Sequence, residues 1–301
     1  MAFGRKKKGK NGDKEMSFLE HLEELRWHLI RSILAIVVMF VVAFFLKDFI
    51  FNQIIFAPRS PQFFTNRILC NLGGFLNTYF DSQKFTGLCI NSKSFNLINL
   101  NMSGQLTAHF AMAIIAGIIL AFPFIVWEFW KFFSPALKSN ERQHIRSAVL
   151  TSSLLFFLGV VFGYYMIFPF SLHFLSTYEI SPEVVNQISI KSYIGTLSSL
   201  VLASGLIFEL PVFSFFLTKI GIVTPKFLRE YRRYAIVIIF VIAAIITPPD
   251  VFSQTLVAIP LVGLYEISIW VSAGVMRGKA KKHDDFMNDK EEDTQTENAT
   301  L

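Results

Sequence analysis

Residues 33–46 read Ile-Leu-Ala-Ile-Val-Val-Met-Phe-Val-Val-Ala-Phe-Phe-Leu, with no polar side chain among them. An α-helix rises 1.5 Å per residue, and bilayer hydrocarbon is about 30 Å thick, so roughly 20 such residues cross it. Counted from Leu29, this stretch is long enough, and it is apolar on every face rather than along one stripe. Working outward, similar stretches lie within 94–127 (heart Phe110–Val126), within 147–178 (centred on Leu154–Phe168), at 192–218 with one charge at Glu209, at 234–247, and at 251–276. The chain is therefore predicted to be an all-α integral membrane protein with six transmembrane helices. The last two are short and nearly loopless: only 16 uncharged residues separate Arg233 from Asp250. A single re-entrant hairpin in their place stays open.

Composition agrees. Of 301 residues, 53% are hydrophobic and only 17% charged, against roughly 25% in a soluble domain; mean hydropathy is +0.49. Half of the charges fall in residues 1–31 and 277–301. This pattern excludes a soluble enzyme, a secreted disulfide scaffold and a sequence-specific nucleic-acid binder. The net charge of +6 has a simpler cause than nucleic acid, namely the Lys and Arg that orient a membrane chain. The run Arg5-Lys6-Lys7-Lys8 with Lys10 reads as a topology signal or a contact with membrane lipid.

With the N-terminus inside, 22 Lys and Arg fall on the cytosolic side and 6 outside. That bias predicts both termini cytosolic. Because a charge-rich stretch of 28 residues precedes the first apolar run, no cleaved signal peptide is expected. The chain divides into a basic arm (1–16), a six-helix membrane domain (17–276) with a long external loop (47–106), and a charged tail (277–301) too polar to order itself.

Cys70 and Cys89 both fall in that external loop, where oxidation is permitted. A disulfide is the preferred reading; two free thiols are the other. No G-x-x-x-x-G-K-[ST], H-E-x-x-H or C-x-x-C occurs, and the six His never pair at ligand spacing. No catalytic residue, metal or cofactor is expected, and any transport would draw on a membrane potential or proton gradient.

Four polar features remain. Glu20, Glu23 and Glu24 lie on one side of a helix beside a stripe of Leu19, Leu22, Leu25 and Leu29, as in an interfacial amphipathic helix; its acidity suits a basic partner better than anionic lipid. Ser139, Asn140 and Glu141 fit the start of a capped helix. Glu209 lies inside a span, where about 2.5–3.5 kcal/mol opposes a centred acid on an insertion scale, so function is its default reading. Pro211, two residues on, predicts a kink. Pro248-Pro249-Asp250 forms a rigid hairpin in which Asp250 can cap the last helix.

At these residues the sequence resembles the TatC family, the polytopic subunit of the twin-arginine protein translocase. The matching elements are His21-Leu-Glu-Glu-Leu-Arg26, Ala57-Pro58, Phe132-Phe-Ser-Pro-Ala-Leu-Lys-Ser-Asn-Glu-Arg142, Phe162-Gly163-Tyr164, Phe208-Glu-Leu-Pro211 and Thr247-Pro-Pro-Asp-Val-Phe-Ser-Gln254. They run in family order across about 21–275.

The resemblance implies a cup-shaped six-helix fold in the cell (cytoplasmic) membrane and a non-enzymatic receptor for twin-arginine signal peptides of folded cargo. It implies signal-peptide contacts at Glu24, Arg26, Phe132 and Glu141; Arg26 and Arg142 lie close enough in sequence to orient the two acids. It makes Glu209, Thr247 and Gln254 polar contacts for the single-span TatA and TatB partners, within a homo- and hetero-oligomeric complex driven by the proton-motive force. Pro58, Pro135, Pro248, Pro249 and Asp250 take structural roles. The external extension with its cysteine pair, the basic arm and the tail lie outside the shared core and gain no role. The rival from another class is a secondary transporter of a small solute, which predicts inverted repeats; none is visible.

Overall fold

Helix α1 (Phe18–Phe45) joins the acidic motif and the first apolar run into one element. No Gly or Pro interrupts residues 18–45 to stop it. The computed structural model describes residues 18–80, 89–90, 96–133, 145–181, 183, 186–246 and 251–299. After α1 come a helical turn, Lys47–Phe49, a π segment, Ile50–Ile55, and a 3-10 turn, Ala57–Arg59. Then follow α2 (Phe64–Phe80), α3 (Gly104–Phe133), α4 (Ile145–Phe162), a π segment Gly163–Ile167 and α5 (Phe168–Thr177). Helices α6 (Ile190–Ile207), α7 (Leu210–Ile220), α8 (Pro225–Glu230), α9 (Arg232–Ile246) and α10 (Val251–Ala299) complete the chain. No strand forms among the described residues; one isolated parallel bridge joins Ile98 to Ser189.

Among the described residues, five segments are long and apolar enough to cross a membrane: Leu22–Phe45, Gly104–Phe133, Arg146–Thr177, Ile190–Ile220 and Val257–Gly278. Helix α9 is apolar but has only 15 residues, about 22 Å of rise. It runs antiparallel to α10: Arg232 pairs with Glu266 at one end, and Gln254 Nε2 donates to the Phe240 carbonyl at 3.0 Å nearer the other.

The core is built where small residues let helices close. Antiparallel α1 and α3 meet at Gly117, where a Cβ would stand 2.8 Å from the Phe40 backbone nitrogen. Farther along, the His109 ring stacks on Phe44 at 4.1 Å. Helix α4 meets α6 at Gly159, where a Cβ would lie 2.6 Å from the Ser204 carbonyl oxygen. Ser204 Oγ donates to the Gly159 carbonyl at 2.7 Å, exploiting that close approach. Between α3 and α4, Phe122 and Phe156 stack at 3.5 Å. Helices without water between them associate through such packing and hydrogen bonds.

Proline shapes the breaks. Pro211 has no N–H for the Ile207 carbonyl, and α6 gives way to α7 across Phe208 and Glu209, the kink predicted from sequence. Helix α10 runs on through the charged stretch to Ala299. No Gly or Pro follows Gly278, and a helix already running from Val251 propagates without a new nucleus.

Candidate functional site

Residues 24, 28 and 31 share one face of α1, since i, i+4 and i+7 fall within about one turn's arc. That face meets the C-terminal end of α3. Glu128, only 3% exposed, receives Nδ1 of His28 at 2.5 Å and Nη1 of Arg31 at 3.7 Å. Nε2 of His28 lies 4.0 Å from Oε1 of Glu24, so one imidazole bridges carboxylates from two helices. Phe132, four residues beyond Glu128, is buried and sets its ring edge-on to His28 at 6.1 Å. Oε2 of Glu24 is buried with no hydrogen-bond partner among the described residues. It is an acceptor whose pairing a docked donor would complete.

The structure thus brings Glu24 and Phe132 to one end of the bundle. Arg26 is exposed, on the side of α1 away from Glu24, about 200° around the helix. The side chain set beside Glu24 is His28, while Arg31 reaches Glu128. Glu141, Arg142 and Pro135 lie outside the described residues. Sequence reasoning missed His28, Arg31 and Glu128. The signal was present as the 24/28/31 spacing, and as an acid placed immediately after a charge-free span and four residues before Phe132.

A second polar feature lies within the membrane-length region. Glu209 is 5% exposed; its Oε2 accepts from Ser152 Oγ at 2.6 Å, and its Oε1 is buried without a partner among the described residues. It lines a cavity of about 180 Å³ whose other walls include Phe122, Trp130, Ser152, Val212 and Phe216. An acid with one satisfied oxygen, facing an apolar cavity, can hold a polar group presented by another helix or a water.

Gln254 is engaged within the chain, on the Phe240 carbonyl. Thr247, Pro248, Pro249 and Asp250 lie outside the described residues. Pro58 is buried, and its carbonyl accepts from Asn66 Nδ2 at 3.2 Å. Cys70 and Cys89 are joined by a disulfide, their Cα atoms 4.1 Å apart. No group of three His, Cys, Asp or Glu able to hold a metal occurs among the described residues.

The family described as Sec-independent protein translocase protein (TatC) matches residues 20–260. A Sec-independent protein translocase protein TatC from Blattabacterium sp. subsp. Periplaneta americana (strain BPLAN) is 38% identical over 270 residues, covering 90% of this chain and 100% of the relative. TatCy from Bacillus subtilis (strain 168) is 36% identical over 268 residues, covering 89% and 92%. A crystal structure of a twin-arginine translocase receptor TatC superposes with a TM-score of 0.62 at 34% identity, covering 85% of this chain and 100% of that one. Another, in DDM, gives 0.63 at 35% identity, covering 84% and 99%.

Proposed function

The chain belongs to the TatC family of Sec-independent protein translocase proteins, a multi-pass transport protein rather than an enzyme, and on that premise we propose that it reads twin-arginine signal peptides. Two adjacent arginines present two planar, permanently charged forks, each able to take a carboxylate bidentately. Glu24, at the start of α1, and Glu141, between α3 and α4, supply the acids, with Phe132 beside them. The observation that carries this reading is the unpartnered Oε2 of Glu24, held by α1 against His28 and the α3 end. A guanidinium docking there satisfies an acceptor that no described residue meets.

In this reading α9 is a fifth, shortened span and Val257–Gly278 of α10 the sixth, both termini are cytosolic, and the protein sits in the cell membrane. The bilayer thins around α9, or α9 sits low in it, at modest cost. Glu209, Thr247 and Gln254 contact the single-span TatA and TatB, and the proton-motive force drives transport of folded cargo. The test is photo-crosslinking of a twin-arginine signal peptide to the assembled complex, comparing Glu24→Ala and Glu141→Ala with the unmodified protein. Unchanged crosslinking in both variants would remove these residues from the binding site.

A further inference from the structure

Helix α2 (Phe64–Phe80) lies in the external extension, which nothing above assigns a role. Its 17 residues span about 25 Å and show three distinct sides. One side is tied to the protein: Asn66 is buried and donates from Nδ2 to the carbonyls of Pro58 and Ser60, Gly73 is buried, and Cys70 is bonded to Cys89. The second is polar and exposed, with Arg67, Asn71 and Thr78. The third is apolar and exposed: Phe64, Ile68 and Leu72 are 60%, 40% and 48% exposed and fall within about 80° of arc. An exposed apolar stripe beside a polar one is the pattern of a helix lying in a membrane interface.

What covers the stripe is indicated by where it begins. Pro169 has no N–H to give the Tyr165 carbonyl, four residues back, and Thr65 Oγ1 donates to that carbonyl. Phe63 stacks on the Tyr165 ring at 5.2 Å, and Phe64 meets it edge-on at 5.9 Å. Tyr165 is the last of an exposed row on one face of a membrane-length segment, with Leu154, Leu158 and Val161 before it. Exposed apolar side chains along a membrane-length segment suit lipid, and the apolar side of α2 continues that surface without a break. Tyrosine at that junction suits the interfacial belt.

We infer that α2 is a membrane-surface helix. Its Phe64–Ile68–Leu72 side is immersed in the lipid of the outer leaflet, Arg67 stands beside headgroup phosphates, and the Cys70–Cys89 bond clips the following chain to its protein side. The choice of leaflet rests on the Lys and Arg count; the lipid contact itself does not. An interfacial helix inserts its apolar face about 5–10 Å into the headgroup and acyl boundary, so positions 68 and 72 meet acyl chains while 71 and 78 do not.

The experiment places a benzophenone amino acid at Ile68, Leu72, Asn71, Thr78 or, as a span control, Leu158. Each full-length protein is reconstituted in vesicles of phosphatidylethanolamine and phosphatidylglycerol, irradiated, and its adducts identified by mass spectrometry. Resistance of both cysteines to alkylation checks that α2 is folded in each variant. Lipid adducts several-fold more abundant at 68 and 72 than at 71 and 78, alongside lipid adducts at 158, are expected. Equal yields on both sides, or lipid adducts at 158 without any at 68 and 72, overturn the inference. Adducts at 68 and 72 to a second copy of the chain also overturn it, in favour of a protein interface.

Discussion

Nδ1 of His28 on α1 lies 2.5 Å from Oε2 of Glu128 on α3, joining residues a hundred positions apart. Both side chains are buried at the end of the helix pair where Phe132 closes over them. The pair fixes the rotation of α1 against α3, and with it the direction in which Glu24 faces. A buried acid and an imidazole satisfy one another, so removing either strands the other.

Glu128→Leu therefore leaves His28 Nδ1 without its acceptor, while Glu128→Gln keeps an oxygen at the same place. The Leu variant should lose about 1–3 kcal/mol of stability, visible as an earlier thermal transition in detergent, and should crosslink signal peptide more weakly. The Gln variant should stay near the parent on both measures. Identical melting for parent and Leu variant would show that the pair does not hold the two helices.

At Glu209, one carboxylate oxygen is used by Ser152 and the other lines the cavity unpaired. Glu209→Gln preserves the acceptor toward Ser152 and a polar group toward the cavity, so most export activity should remain. Glu209→Leu should insert normally yet recover less of the single-span partners on co-purification. Full export by the Leu variant would end the assignment of Glu209 to partner contact.

Close approach at Gly159 sets a different expectation. Any Cβ there meets the Ser204 carbonyl oxygen at 2.6 Å, on backbone that cannot yield without parting α4 from α6. Gly159→Val should cut the yield of folded, detergent-extractable protein several-fold. Gly195→Ala, which meets nothing within 4 Å, should not. Equal yields would mean the two helices tolerate separation.

For the cysteine pair, alkylation of denatured, non-reduced protein should label neither thiol, and labelling of both in fresh membranes would exclude the bond. Closing a loop of this length contributes about 3 kcal/mol in the chain-entropy account. Cys70→Ser should therefore make the segment after α2 more susceptible to protease.

Much of this architecture was legible from local pattern. Charge-poor apolar runs marked six spans, and five of them are membrane-length among the described residues, because lipid demands apolar side chains all round; Pro211 announced the break between α6 and α7. The resemblance of the motifs located the family. Three-dimensional partnership was less accessible. Nothing local says that Glu128 belongs with His28, because their contact depends on the rotation of two helices about their axes. Arg26 looked the natural companion of Glu24 in sequence, yet a two-residue step on a helix places it on the other side.

The receptor assignment is tested most directly through the chemistry of the peptide. Arginine offers a planar fork that takes both oxygens of a carboxylate, whereas lysine offers a point charge of the same sign. If Glu24 and Glu141 each hold one arginine, a Lys-Lys signal retains the Coulomb attraction and loses the bidentate bonds, so it should crosslink distinctly less than Arg-Arg. Glu24→Ala and Glu141→Ala should each weaken crosslinking, and the double variant should abolish it, while assembly with the single-span partners persists in all three. Arg26→Ala gives a further discrimination. With Arg26 exposed away from Glu24 and His28 beside it, loss of Arg26 should cost less crosslinking than His28→Ala. Normal export of twin-arginine cargo by the double Glu variant would show that the peptide is read elsewhere on the protein.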